Sequence, residues 1–117
     1  MLAGKRAVRV GDKVGKEVAV ILLERVRDPR IRDVTITGSR LSDDLKQARI
    51  YFSVLGGELD VERAQAGLKS ARSFIKKEIG RRMSLRYVPE IKFVYDSSLE
   101  RGNHFERLFA RLESNKS

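Results

Sequence analysis

Apolar residues early in the chain recur with a helical period. Val14, Val18, Ile21 and Leu22 follow at spacings of four, three and one, which lines one face of an α-helix. Val20 and Leu23 widen that face, so a largely buried helix is expected. The pattern predicts a start near residues 10–12. It predicts a stop by Arg27, because Asp28 precedes Pro29 and the proline ring disfavours helical geometry there. From residue 33 the period changes to two. Val34 and Ile36 alternate with Thr35 and Thr37; then Ala48, Ile50, Phe52 and Val54 alternate with Arg49, Tyr51, Ser53 and Leu55. Two half-buried strands follow, paired as an antiparallel hairpin around the turn-like residues 42–46.

After Gly56 and Gly57 the helical period returns. Val61, Ala64, Leu68, Ala71, Ile75 and Ile79 run at spacings of three and four, with Asp60 as the expected N-cap. Phe74 falls off this stripe, which suggests a bend of the axis there; a straight helix with an exposed Phe74 is the other reading. Tyr87, Ile91, Phe93 and Tyr95 alternate with Val88, Glu90, Lys92 and Val94 and mark a third strand, and Pro89 near its start places it on an edge or starts it after the proline. Ser97 and Glu100 read as a capping box, followed by a short amphipathic helix through Phe105, Leu108, Phe109 and Leu112. The order is helix, strand, strand, helix, strand, helix. A three-stranded sheet with helices on one face buries these stripes in two layers, an α+β fold.

Charge changes the picture. The 117 residues carry a net charge of +9, and the excess is uneven. Between residues 69 and 86 the cations are Lys69, Arg72, Lys76, Lys77, Arg81, Arg82 and Arg86, against Glu78 alone. Residues 1–32 are the second basic stretch, with Lys5, Arg6 and Arg9 on an expected mobile arm (residues 1–9) and Arg30 and Arg32 near its end. Cations fixed on a small folded surface select for a polyphosphate backbone. Aromatics are sparse, eight in all, and most belong to strand stripes, so recognition of backbone and shape is expected over reading of single bases. A basic face for an acidic protein partner is the competing reading.

Catalytic chemistry has little to build on. The absence of cysteine excludes disulfides, thiolate metal sites and cysteine nucleophiles. The single histidine, His104, has no second histidine to work with. Asp43 and Asp44 could hold a divalent metal in a nuclease, but adjacent acids in a hairpin are ordinary turn residues. Gly56-Gly57 has no following Lys-Ser/Thr and is no phosphate loop. No cofactor or metal is expected. The longest apolar run, Val18 to Leu23, is six residues, too short for a membrane span or a signal-peptide core. A cytoplasmic protein, monomeric when free, is expected.

Several segments together resemble one family. Val26-Arg27-Asp28-Pro29-Arg30-Ile31, Val34-Thr35-Ile36-Thr37, Leu41-Ser42, Asp44-Leu45, Ala48-Arg49-Ile50-Tyr51 and Ser53-Val54-Leu55 are similar to ribosome-binding factor A. So are Phe74-Ile75, Gly80-Arg81-Arg82-Met83, Leu85-Arg86, Pro89-Glu90, Phe93 and Asp96-Ser97-Ser98-Leu99. The resemblance runs in unbroken order from about Val10 to Leu112. It implies a type II KH-like domain over residues 10–96, ordered α-β-β-α-(kink)-α-β, with a C-terminal helix and tail over 97–117. It also implies a bacterial, non-enzymatic factor for late maturation of the small (30S) ribosomal subunit. Such a factor binds immature subunits and assists processing of their 16S rRNA, particularly in the cold. A permanent ribosomal protein is the alternative within RNA binders.

The Gly-x-x-Gly loop of standard KH domains is absent between Val61 and Ile79, as it is in this family. The family's Ala-x-Gly kink corresponds here to Ala71-Arg72-Ser73. Serine replaces the glycine, which carries a steric cost only if position 73 needs a positive φ. The expected phosphate contacts are Lys69, Arg72, Lys76, Lys77, Arg81, Arg82 and Arg86, with Arg30 and Arg32 beside them.

Overall fold

The computed structural model describes residues 5–97. Its elements are α1 (Lys5–Glu24), a single 3-10 turn (Pro29–Ile31), β1 (Val34–Leu41), β2 (Gln47–Val54), α2 (Glu58–Met83) and β3 (Glu90–Tyr95). This is the mixed α+β order that periodicity predicts. The terminal helix expected after Ser97, with Glu100 and His104, lies outside the described residues.

Helix α1 starts at Lys5, five residues before the predicted start. Most of the expected basic arm therefore belongs to the helix, with Arg6 and Arg9 on its exposed surface. The reason is a stripe longer than the large side chains show. Ala7 and Gly11 are buried and continue Val14, Val18 and Ile21 backwards at spacings of four and three. The helix is also less buried than expected: Val20 is 37% and Leu23 85% exposed. At about 100° per residue, both point away from the Val14–Val18–Ile21 face. The small residues let α1 sit close against β1. A Cβ on Gly15 would lie 2.5 Å from Ser39 Oγ, and that hydroxyl donates to the Gly11 carbonyl at 2.7 Å.

The sheet order is β1-β2-β3. Strand β2 pairs antiparallel with β1 and parallel with β3, so the parallel connection is carried by α2. The register slips between Ile36 and Gly38; Thr37 is the extra residue of a β-bulge. Without it, Leu41 would face opposite to Val34 and Ile36, because side chains alternate. With it, Leu41 pairs with Ala48 and is buried. The turn between β1 and β2 is closed by side chains: Ser42 Oγ donates to Asp44 Oδ1 at 2.6 Å, and the Lys46 and Gln47 amides donate to Asp44 and Ser42.

Helix α2 is capped differently from the sequence expectation. Gly57 is the N-cap, and Asp60 is the third helical residue, its carboxylate accepting from the Gly57 amide at 2.9 Å. The carboxylate lies where a Cβ on Gly56 would be, 2.2 Å away, and Gly56 has φ +135°; both requirements leave glycine there. The helix runs unbroken through Ala71, Arg72 and Ser73 to Met83, about 39 Å. The two helices implied by the family resemblance are thus one continuous helical element here. Ser73 has no positive φ, so serine costs nothing sterically. Phe74 is 38% exposed, off the stripe. The helix ends at Ser84, which takes the left-handed conformation with φ 51°.

Both helices cover the same face of the sheet. Val14, Val18, Ile21, Ile50, Phe52, Leu68, Ile75, Ile79 and Ile91 are essentially solvent-free. Phe52 and Tyr95 meet edge to face at 5.9 Å. No described element covers the other sheet face. Strand β3 begins at Glu90, directly after Pro89, because proline has no amide to donate to the ladder.

Candidate nucleic-acid interface

The buried stripe of α2 determines where its cations point. With about 100° per residue, Lys69, Arg72 and Lys76 fall within roughly a 60° sector on one side of the stripe. Lys77 and Arg81 fall on the other side. The first sector leans over β3. Lys69 and Arg72 join Lys92 and Phe93 of β3, with Gln65 and Ala66, around a shallow depression of about 340 Å³. Lys69, Arg72 and Lys92 are exposed and have no hydrogen-bond or ion-pair partner among the described residues. Lys76 ties this edge together by pairing with Glu90 of β3, and its ammonium holds the Glu90 carboxyl below its ordinary range.

The opposite flank is arranged otherwise. Glu78, the lone acid of the run, is buried. It accepts from Arg81 Nη2 at 2.9 Å and from Arg82 Nε at 3.3 Å. The Arg81 hydrogen bond is the main reason its carboxyl is held below the usual carboxylate range, with Arg82 adding to it. Arg82 also reaches Glu17 of α1 at 3.5 Å. Here the two basic stretches of the sequence do meet, and they meet around acids. Lys77 stays exposed without a hydrogen-bond or ion-pair partner among the described residues. Arg86 lies past the helix end, its guanidinium 5.5 Å from the centroid of the Tyr87 ring.

The remaining expected residues lie around the 3-10 turn. Arg30 forks onto Asp28 at 2.7 Å, which lowers the Asp28 carboxyl from its ordinary value. The Asp28 carboxylate also accepts from the Arg30 amide and so caps the turn. Arg30 packs near Gly67 of α2, where an added Cβ would sit 2.7 Å from Ile31 and 3.1 Å from Arg30. Arg32 is exposed. Asp44 serves the hairpin; the hydroxyl of Ser42 is the first cause of its lowered carboxyl. No group of three or more metal-ligating side chains forms among the described residues, and no described helix is long and apolar enough to cross a membrane.

The sequence reading missed Lys92. Strand alternation puts it outward, opposite Ile91 and Phe93, but nothing in the local pattern says that the β3 edge lies under Lys69 and Arg72. A second, larger depression of about 770 Å³ lies between α1, the 3-10 turn and β1. Its walls are mainly apolar, from Leu22, Leu23, Val26, Ile31, Val34 and Ile36, and it lies away from the α2 cations.

The fold and the chain both have known counterparts. A family model described as ribosome-binding factor A matches residues 6–109. Ribosome-binding factor A of Citrifermentans bemidjiense is 42% identical over 108 residues, 92% of this chain and 91% of that protein. The solution structure of a Thermotoga maritima protein described as a ribosome binding factor A superposes with a TM-score of 0.69. It is 28% identical and covers 80% of this chain and 90% of that one. A Thermus thermophilus ribosome binding factor A model, fitted into a cryo-electron-microscopy map of a 30S complex, has a TM-score of 0.66. It is 22% identical and covers 78% of this chain and 96% of that one. With the matched region running from the second residue of α1 through β3, the chain belongs to the ribosome-binding factor A family.

Proposed function

We propose that this protein is a non-catalytic RNA-binding factor for late maturation of the small ribosomal subunit, acting in the bacterial cytoplasm. It binds immature subunits and assists processing of their 16S rRNA, most needed in the cold. The observation that carries this reading is the cationic depression between α2 and β3 on a chain of this family. Lys69, Arg72 and Lys92 converge there with no acid paired to them among the described residues. The fitted 30S complex of the Thermus protein supports the small subunit as the partner.

Phosphate contacts come from Lys69, Arg72, Lys76, Lys77 and Lys92, with Arg81, Arg82, Arg86, Arg30 and Arg32 at the margins. Cations of this kind hold a backbone and carry no sequence information. The factor works by population shift: it binds one conformation of unfinished rRNA more tightly than another and so favours it. With about five phosphates engaged, log affinity against log salt falls with a slope of roughly −3.5 to −4.5.

Sedimentation of cell extracts tests the role. The protein should travel with free small subunits and be scarce on translating ribosomes, and cells lacking it should accumulate unprocessed 16S rRNA. Equal abundance on translating ribosomes would turn the reading into that of a permanent ribosomal protein.

A further inference from the structure

The sheet face turned away from the helices carries a row of three cations, of which the proposed function uses only Lys92. Arg40 of β1 pairs in register with Arg49 of β2, and Arg49 pairs in register with Lys92 of β3. All three are exposed. They point away from the core, since their strand neighbours Leu41, Ala48, Ile50 and Ile91 are buried under the helices. Strands lie about 4.8 Å apart, so the row spans about 10 Å. The bulge at Thr37 creates the alignment, because it moves Arg40 onto this face along with moving Leu41 to the core.

Stability does not explain this row. Like charges directly opposite one another destabilise a sheet. None of the three has a hydrogen-bond or ion-pair partner among the described residues, and Glu90, on the same side of β3, is engaged by Lys76. Cations on edge strands discourage edge-to-edge association, which accounts for Arg40 and Lys92. It does not account for Arg49, which sits on the central strand between two other cations. Beside the row, the half-exposed Tyr51 ring lies on the same face opposite Gly38, a flat surface next to the charges.

We propose that this face is a second RNA-binding surface, on which Arg40, Arg49 and Lys92 hold successive phosphates of a single strand. Lys92 also lines the depression with Lys69 and Arg72. The cationic path is therefore continuous: a strand leaving α2 passes over the β3 edge and onto the sheet. This rests on the RNA-binding reading above and adds a second contact region to it.

The test uses the full chain, purified small ribosomal subunits and a single-stranded uridine oligonucleotide. In Arg40→Gln/Arg49→Gln the depression is intact; in Lys69→Gln/Arg72→Gln the sheet row is intact. The sheet variant should lower the salt slope by about 1.4 to 1.8, two phosphates' worth, and melt at or above the wild-type temperature because repulsion is relieved. Arg49→Glu pairs with its neighbours, keeps the fold and should weaken binding further. A wild-type slope in the sheet variants beside a reduced slope in the helix variant would overturn the second surface alone. Wild-type slopes in both would overturn RNA binding by this fold altogether. A photo-crosslinker at Tyr51 should mark rRNA; marks on ribosomal protein alone would assign the face to a protein partner instead and overturn the proposal.

Discussion

The two flanks of α2 hold the same kinds of side chain and do different things with them. Toward β3, Lys69 and Arg72 face a depression with Lys92 and have no paired acid among the described residues. Toward α1, Arg81 and Arg82 converge on the buried Glu78, and Arg82 spans to Glu17 of the neighbouring helix. The second flank engages Arg81 and Arg82 in ion pairs, two within α2 and one that joins it to α1, and leaves Lys77 exposed. The first engages Lys76 with Glu90 of β3 and leaves Lys69 and Arg72 exposed beside Lys92, where a ligand can reach them. A count of cations between Lys69 and Arg86 treats the flanks as one cluster; the acids that fold beside them divide it.

The largest expected effect removes the scaffold beneath both flanks. Phe52 is solvent-free and packs against Tyr95 and the α2 stripe. Phe52→Ala should cost about 3–5 kcal/mol in urea denaturation, and binding should fall with the folded fraction. Next, Lys69→Gln/Arg72→Gln should weaken binding to small subunits about tenfold, or about 1.4 kcal/mol, at unchanged melting temperature. Arg81→Gln/Arg82→Gln should do the reverse, lowering the melting temperature more than the affinity. If the two pairs exchange these outcomes in parallel melting and salt-titration experiments, the division between the flanks is wrong.

Acid sharpens the same comparison. The folded state holds the Glu78 carboxyl below its ordinary value, so the unfolded chain takes up that proton first as pH falls. The stabilisation is complete above the ordinary carboxylate value near pH 4.3 and is lost as pH drops through the lowered folded value. Glu78→Gln should melt below wild type at neutral pH, with the gap closing as pH falls below the ordinary carboxylate value and through the lowered one. A gap that persists in acid would show that packing, not the ion pairs, holds Glu78. The smallest effect is expected at Ser73→Gly, about 0.5 kcal/mol of destabilisation from helix propensity. A stability gain there would show that the helix is strained at the position where the family resemblance implies a kink.

Much of the fold was legible because each stripe is long relative to its period. Ile50 and Phe52 alternate cleanly, and Leu68, Ile75 and Ile79 keep helical spacing, so β2 and α2 follow from local pattern. The errors have local causes as well. Ala7 and Gly11 are too small to register as a stripe, which hid the first turns of α1. Val20 and Leu23 are apolar without being buried, and apolar exposed residues are common. Asp60 helps cap α2 from inside its first turn, a role that Gly57 at the N-cap makes possible. The α2 cations were identifiable from composition. Lys92, Arg40 and Arg49 were not, because each is an ordinary outward strand residue until the strands are paired.

The sequence by itself determined the order of the described helices and strands, the α+β class and the basic character, because periodicity and charge are properties of neighbouring residues. It also carried the family, through short segments kept in order from Val10 to Leu112. Tertiary structure decided which cations are neutralised and which are available, since Glu17 of α1 and Glu90 of β3 reach Arg82 and Lys76 across elements, adding to the pairs Glu78 makes with Arg81 and Arg82 inside α2. It also decided, through one extra residue at Thr37, that Arg40 stands in line with Arg49 and Lys92. Strand register is a relation between distant segments, and side-chain alternation makes a one-residue shift reverse which face a charge occupies.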